Sequence, residues 1–316
     1  MVKQNITKAK VVKADTLTAL IPFPLVRTLV EIYYDFQDQR IITNNRIGMN
    51  KQRNAITDAQ LKQYKVYDIL ANAEQFEKDV KRVLDKEIKK HKIWKEYLAL
   101  IQGIGPIISA GLLAYINDIG KFENISKLWQ ITGFGMNTFC KKCKKPTWEE
   151  IVFVKQDGKT KTKAKRLKPF KKCPECDKKT EPIIQKRMVG YMSNWNDKFK
   201  VLCWKIGQSI LKQQAKKSGY RKLYDQFKVE ERRKHPKKIK RGGRTMYNDG
   251  HIHNMALRKV IKIFLANLWM VWRDMEGLKV TEPYIIHKNP AHNMIKPFTD
   301  HKSTYTRKPN KKNEQI

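Results

Sequence analysis

Apolar residues recur along most of this chain at the three- and four-residue spacing that places them on one face of an α-helix. The first such helix runs from Leu25 to about Ile47, and its predicted apolar face consists of Leu25, Leu29, Ile32 and Phe36. A second long helix begins at a cap formed by Thr57 and Asp58, and its apolar face consists of Phe76, Val80, Val83 or Leu84, and Ile88. The two helices form an antiparallel or intermolecular coiled coil, or else an ordinary helical subdomain without a partner.

The helical spacing returns in the C-terminal half of the chain. One stripe consists of Phe199, Leu202, Cys203, Ile206 and Ile210. A longer stripe, which predicts the spine of the C-terminal core, consists of Leu257, Val260, Ile261, Phe264, Leu265, Leu268 and Trp272. Between the two lies KVEERRKHPKKIKRGGRTMYNDG, a basic connection in which glycines and Pro236 are expected to break regular structure. The only sheet we expect is a small one around Ile151 to Val154.

The stretch LIQGIGPIISAGLLAYI combines a glycine turn with a helix of small and apolar residues. Gly103 and Gly105 permit a tight turn and a close backbone approach, and Pro106 suits the first turn of a helix. With a preceding helix that ends in LALIQ, this is the layout of a helix-hairpin-helix. Its free N–H groups and helix dipole can bind a phosphate of a nucleic-acid backbone. The alternative is that the glycines serve only tight helix packing.

Four cysteines form the most specific motif. Cys140 and Cys143 are separated by two residues, as are Cys173 and Cys176, and each pair can supply two thiolates from one turn to a single tetrahedral ion. The spacing predicts one structural zinc in a zinc ribbon, with IVFVKQDGKT as strand and turn. Residues 140–179 contain 15 Lys or Arg against 5 Asp or Glu, which is either a phosphate-binding surface or a solvated loop. Cys203 belongs to an apolar stripe and is assigned to the core.

These patterns predict a mainly α fold, with long coiled-coil-like helices, a helix-hairpin-helix core and a small inserted β zinc ribbon. The predicted regions are an N-terminal helical region (1–95), the helix-hairpin-helix (96–137), the zinc-ribbon insertion (138–182), a C-terminal helical part (183–301) and a disordered basic tail (302–316).

The charge balance points to a polyanionic partner. The 316 residues contain 67 Lys plus Arg against 30 Asp plus Glu, a formal charge of +37. Nucleic acid is the first candidate and an anionic membrane the second. The segment TLTALIPFPLVRTLVEIYY is neither a signal peptide nor a membrane span, because two prolines break it and Arg27 and Glu31 charge it. We therefore expect a reducing, cytoplasmic setting, in which paired cysteines hold metal.

Candidate catalytic residues are Ser193, in GYMSNWNDKFK, and the histidines of NDGHIHNMALRK, His251 and His253. A serine beside a histidine base is the arrangement of nucleophilic catalysis. Ser193 is alternatively the N-cap of a helix that begins near Asn196. The histidines are alternatively surface or capping residues.

Two stretches resemble the insertion-sequence-110 family of transposases (the 110, 116 and 902 group). LIQGIGPIISAGLLAYINDIGKFENISKLWQITGFG is similar to the family's helix-hairpin-helix block, and GHIHNMALRKVIKIFLANLW is similar to its closing helix. The helices from Leu25 to about Leu100 resemble its coiled coil. The resemblance implies nucleic-acid contacts by Gly103, Gly105, Lys121, Arg258 and Lys259. It also implies a mobile-element setting, prokaryotic or viral, at the nucleoid.

The chain departs from the family pattern in two places. Family members begin with a ribonuclease-H-like sheet that carries acidic metal ligands, whereas this chain starts with helices, so we expect that site to be absent. The family's nucleophilic serine follows the helix-hairpin-helix block, where this chain has GMNTFC, with Thr138 as the hydroxyl before Cys140. Ser193 lies on a later segment that resembles a structural Ser-Lys turn of the family.

The expected function is transposase-like DNA binding, in the class of transposition and DNA recombination, without catalysis of its own. Expected partners are DNA, a structured guide RNA and a second copy of the chain through the N-terminal helices. One alternative is a serine-type recombinase that uses Ser193 and is completed by a partner. Another is an RNA-binding scaffold, for which the candidate stacking rings are Trp195, Trp204, Tyr220 and Tyr224.

Overall fold

The computed structural model describes residues 20–154, 161–241, 243–281, 295 and 297–298. Its N-terminal part is an antiparallel helical hairpin within one chain, built from α1 (Phe23–Gln52) and α3 (Val66–Ile88), with the short α2 (Asp58–Gln63) between them. The backbone N–H of Ile21 donates to Glu87 at 2.7 Å, and Arg40 donates to Glu77 at 2.7 Å, so α3 runs back along α1. The predicted tail over 302–316 lies outside the described residues.

The buried face of α1 is not the predicted one. Val26, Val30 and Tyr33 are buried, whereas Leu25 is 49% exposed. Apolar residues stand at neighbouring positions along α1, so its sequence is compatible with two stripes, and packing against the rest of the chain selects one. Of the predicted face, Phe36 stacks on Phe76 of α3 with ring centroids 5.0 Å apart.

The predicted second helix is divided in two. Thr57 caps α2 as expected, because its side chain accepts the N–H of Gln60 while the Gln60 side chain accepts the N–H of Thr57. The helix is then interrupted at Lys65, which has a left-handed φ of 53°. In α3 the predicted Leu84 and Ile88 are buried, whereas Phe76 is 52% exposed and Val83, the alternative to Leu84, is 45% exposed.

The glycine turn is preceded by less helix than predicted. α4 (Lys92–Glu96) is followed by a 3-10 turn, Leu98–Leu100, so LALIQ is not helical throughout. Tyr97 leaves the helical conformation, with φ −141° and ψ −63°, and its buried hydroxyl lies 3.0 Å from that of Tyr220. α5 (Pro106–Ile116), the 3-10 turn Ile119–Lys121 and α6 (Ile125–Ile131) then follow as a helical block.

The C-terminal half supplies α7 (Asp197–Leu211), α8 (Gly219–Lys234) and α9 (Asp249–Met275). Every residue of the two predicted stripes is buried, which confirms α9 as a spine and Cys203 as a core residue. One hydrophobic cluster unites side chains of α1, α3 and α4 to α9. We call this assembly the helical core.

Residues 136–184 form a second region, the cysteine module, which contains strands β1 to β5. β1 (Met136–Cys140) pairs with β2 (Lys145–Pro146) on one side and with β5 (Glu181–Ile184) on the other, all antiparallel. β3 (Trp148–Val154) and β4 (Lys161–Leu167) form the predicted small sheet around Ile151. The module is therefore the small β insertion that the cysteine spacing predicts.

The expectation of one sheet is wrong, because the described residues form three: β2-β1-β5, β3-β4 and a hairpin in the basic connection. The first residues of this connection extend α8 to Lys234, and a hairpin of β6 (Ile239–Arg241) and β7 (Arg244–Met246) follows. Gly243 supplies a positive φ of 71° at the turn. Pro236 thus separates a helix from a hairpin.

Candidate metal centre and nucleic-acid surface

The four cysteines of the module converge on one point. Their sulfurs all lie within 4.8 Å of one another, with Cys140 3.5 Å from Cys176 and Cys143 3.8 Å from Cys173. A disulfide would bring two sulfurs to about 2.05 Å. Four thiolates around one tetrahedral ion at about 2.3 Å would lie about 3.8 Å apart. The geometry is compatible with a bound metal ion, as the cysteine spacing predicts.

The electrostatics of the cluster also favour a cation. The pKa of Cys140 is lowered to about 7, chiefly because the backbone N–H of Cys143 donates to its sulfur at 3.4 Å. The pKa of Cys143 is raised to about 12, chiefly through its contact with Cys176. Cys140 therefore ionises more readily than Cys143, and the charge on Cys140 adds to the raised pKa of Cys143. A divalent cation at the centre offsets that charge.

Hydroxyl groups hold the strands around the cluster. Thr147 donates to the carbonyl of Lys168 at 2.6 Å, and its hydroxyl lies 2.5 Å from that of Thr138. Thr138 also accepts the N–H of Phe170 at 2.9 Å. Thr138, the hydroxyl before Cys140, is thus part of the internal hydrogen bonding of the module.

An amide network joins the cysteine module to the helical core. Gln185 accepts the N–H of Gly135 at 2.7 Å and donates to Asn194 at 3.0 Å. Asn194 and Gln130 both donate to Asn137, at 2.9 and 3.2 Å. Asn137 and Gln185 are buried, so the network is satisfied by its own members.

The two predicted phosphate-binding glycines differ in their surroundings. Gly103 has a positive φ of 89°, and a Cβ there would lie 3.0 Å from the carbonyl oxygen of Ser209. The carbonyl of Gly103 accepts a hydrogen bond from the Ser209 hydroxyl. Gly103 therefore packs against the end of α7. Gly105 is the N-cap of α5, which has no side-chain cap, and a Cβ at Gly105 would meet nothing within 4 Å.

The predicted basic contacts divide in the same way. Lys121 is exposed at the end of its 3-10 turn. Arg258 is half-buried and donates to the carbonyls of Phe134 and Gly135, at 3.0 and 3.3 Å. Lys259 forms an ion pair with the buried Glu231. Arg258 and Lys259 are therefore tied to protein groups, while Lys121 faces solvent.

The structure does not bring the predicted nucleophile and bases together. Ser193 is half-buried ahead of α7 and is not its cap, because the side chain of Asn196 accepts the N–H of Phe199. His251 accepts the N–H of Tyr247 at 2.9 Å, and His253 lies 2.7 Å from the Tyr224 hydroxyl. The two histidines thus have local structural partners at the start of α9.

The candidate stacking rings are mostly in the interior. Trp195, Tyr220 and Tyr224 are buried, and Trp204 is 39% exposed. Three of the four rings thus take the packing role that was the alternative to base stacking.

Sequence reasoning missed the hairpin in the basic connection and two half-buried lysines of the helical core. Residues 232–246 contain eight Lys or Arg and no Asp or Glu, and they form the end of α8 and the β6–β7 hairpin. The available signal was the Gly242-Gly243 pair between two short runs, which is typical of a hairpin turn. Lys200 and Lys262 were missed because each stands alone between residues of an apolar helical stripe, and a single lysine there is not a motif.

No family model matches this chain, and no curated protein matches it. Within the described residues, no helix combines the length and apolar character needed to cross a bilayer. The resemblance to transposases therefore stays a prediction from the residues themselves.

Proposed function

We propose that this chain is a transposase-related nucleic-acid-binding protein that holds the sugar-phosphate backbone through basic surfaces. The observation that carries the proposal is the formal charge of +37, with 15 Lys or Arg over 140–179 and eight over 232–246. The described residues of the first cluster lie on the strands and turns of the cysteine module, and those of the second lie on the end of α8 and on the β6–β7 hairpin. Exposed cations in such numbers favour a partner that carries one negative charge per phosphate.

The glycine turn supports backbone recognition without base readout. The uncapped start of α5 has open space at Gly105, and peptide N–H groups at a helix start bind phosphate without reading a base. DNA is the proposed partner because the resemblance to transposases covers this turn. We assign binding and not catalysis, since the described side-chain hydrogen bonds of His251 and His253 join them to Tyr247 and Tyr224 and not to Ser193.

The metal of the cysteine module is proposed to be zinc. Four sulfur ligands in a tetrahedral arrangement suit this ion, and a site closed by four protein ligands is structural. Zinc would fix the basic strands around it. Native mass spectrometry of the whole chain tests this, with one zinc per chain expected; another metal or none would contradict it.

Binding is tested by fluorescence anisotropy with duplex DNA, a branched junction and a structured RNA, across about 50 to 200 mM salt. The proposal expects duplex or junction binding that weakens steeply with salt. A protein that makes six or more phosphate contacts should lose about a thousandfold in affinity over this range. No binding, or binding that salt does not weaken, would refute the proposal. Preference for the structured RNA would favour the scaffold alternative.

A further inference from the structure

Three cations gather around the segment 129–135, between the helical core and the cysteine module. Lys262 of α9 lies with its Nζ 4.0 Å from the ring centre of Trp129, and Arg258, one turn earlier on α9, lies 5.1 Å from that of Phe134. Lys200 of α7 lies 4.4 Å from the ring centre of Trp195. We call Lys200, Arg258 and Lys262 the cation cluster.

The local structure holds the cluster in place. Trp129 donates its indole N–H to the carbonyl of Lys262 at 3.1 Å. Arg258 is fixed by the carbonyls of Phe134 and Gly135. A Cβ at Gly133 would lie 2.7 Å from the Lys200 side chain, so glycine lets that side chain pass. These contacts fix Trp129, Arg258 and the path of the Lys200 side chain without a ligand.

The cluster has no matching negative charge among the described residues. None of its three members forms an ion pair there, although Lys259 between Arg258 and Lys262 is paired with Glu231. The carboxylate of Asp197 acts on Lys200, but it is paired with Arg187 at 2.6 Å. Burial lowers the pKa of all three members, and Arg258 lowers those of Lys200 and Lys262 further. Half-buried cations that repel one another are costly unless an anion joins them.

We propose that Lys200, Arg258 and Lys262 form a binding site for one phosphate group, and that its ligand is a backbone phosphate of the bound nucleic acid. The choice of nucleic acid as the source rests on the proposed function. The aromatic rings of the site already lie against cations, and Phe134 and Trp195 are buried. A base therefore has no free ring to stack on, so the site reads phosphate and not sequence.

The test compares Lys200→Met and Lys262→Met with Lys205→Met. Methionine keeps an unbranched side chain against the ring and removes the charge. Lys205 is a matched control, because it also lies on α7, half-buried over the ring of Tyr34 at 3.2 Å. Burial lowers the pKa of Lys205 as it lowers those of Lys200 and Lys262, but the neighbouring charge that acts on Lys205 is the carboxylate of Asp38 and not the guanidinium of Arg258.

Duplex binding is measured by anisotropy over the same salt range for all four proteins. Each cluster variant is expected to lower the slope of log affinity against log salt by about 0.9, which is about five- to tenfold in affinity near 0.1 M salt. Lys205→Met should bind as the wild type does. The site would be refuted if both cluster variants kept the wild-type slope of log affinity against log salt. It would also be refuted if Lys205→Met lost as much duplex affinity as they do.

Pyrophosphate, measured by its effect on the thermal unfolding temperature, separates this site from the proposed function. It should raise the unfolding temperature of the wild type and of Lys205→Met more than that of Lys262→Met. If no duplex binds but this difference holds, the phosphate site stands and its ligand is a small phosphorylated compound, which overturns the nucleic-acid part. If duplex binds and neither the slopes nor pyrophosphate distinguishes the variants, the site is wrong while the proposed function survives.

Discussion

Different interactions stabilise the helical core and the cysteine module internally. The core buries large side chains from eight helices, among them Trp269, Phe264 and Leu84. In the described residues of the module, Leu167 is the one buried apolar side chain apart from two cysteines, and three further buried residues are polar. Apolar burial can stabilise the core by itself. The module instead contains four converging cysteines, to which we assign a metal ion, and internal hydrogen bonds such as those of Thr138 and Thr147.

Removal of the proposed metal ion should separate the two regions most clearly. Cys173→Ser leaves three thiolates and should release the ion, so the cysteine module should unfold while the helical core remains. Structural zinc contributes on the order of 10 kcal/mol in small folds, which makes this the largest expected effect. Hydrogen exchange should show lost protection across β1 to β5 and unchanged protection in α9.

Cys203→Ala is the matched control for the metal. This cysteine is fully buried in α7, away from the cluster, and burial raises its pKa. Its replacement should leave the metal content unchanged and should slightly destabilise the core. If Cys173→Ser kept its metal, the four-cysteine site would be wrong; if the whole chain unfolded together, the division into two regions would be wrong.

The converse experiment destabilises the helical core and leaves the cysteine module unchanged. Phe264→Ala empties a fully buried site on α9, where its ring packs edge-to-face on Tyr220 at 5.5 Å. We expect the free energy of unfolding of the core to fall by about 3 to 5 kcal/mol. Denaturant titration followed by far-UV circular dichroism measures this change. Metal content under native conditions should stay at the wild-type level; its loss would show that the module depends on core packing.

The same comparison explains what was predictable from the chain. The stripes of α7 and α9 were predicted because each has one dense apolar face, and the cysteine cluster because ligand spacing is local. The face of α1 was wrong because two apolar stripes compete there and only α3 and α5 decide between them. The amide network of Gln185, Asn194 and Asn137 joins residues up to 57 positions apart, and no local pattern reports such a contact.

The cation cluster lies where the two regions meet, and there we expect a substitution to increase the free energy of unfolding instead of lowering it. Lys262→Met removes a half-buried charge, so it should raise the free energy of unfolding at neutral pH. The pKa of Lys262 is lowered from its ordinary 10.5 to about 8, chiefly by burial and then by Arg258. At 1.36 kcal/mol per pKa unit this shift corresponds to about 3 kcal/mol of unfolding free energy. Because the side chain is partly exposed, we expect Lys262→Met to gain about 1 to 3 kcal/mol.

The stability advantage of Lys262→Met over the wild type should depend on pH if it comes from the lost charge. Between pH 8 and 10.5 the unfolded chain holds the Lys262 proton while the folded chain releases it, so wild-type stability rises with pH in that window. The advantage of Lys262→Met should therefore be full below pH 8 and fade toward pH 10.5. Urea titrations of both proteins at pH 7, 8, 9 and 10 measure the difference. An advantage that does not change with pH would assign it to packing instead of charge.

The smallest effect separates packing from binding at the turn before α5. Gly103→Ala should cost about 1 to 3 kcal/mol, because its φ of 89° is strained for alanine and its Cβ would press on Ser209. Gly105→Ala should change stability by less than about 0.5 kcal/mol, since its φ of −89° is ordinary and its Cβ meets open space. If phosphate approaches this opening, Gly105→Ala should still weaken duplex binding in anisotropy measurements, because a methyl group would stand between the ligand and the helix start. Unchanged affinity with unchanged stability would assign the turn to helix packing, and the basic hairpins would then carry the backbone contacts alone.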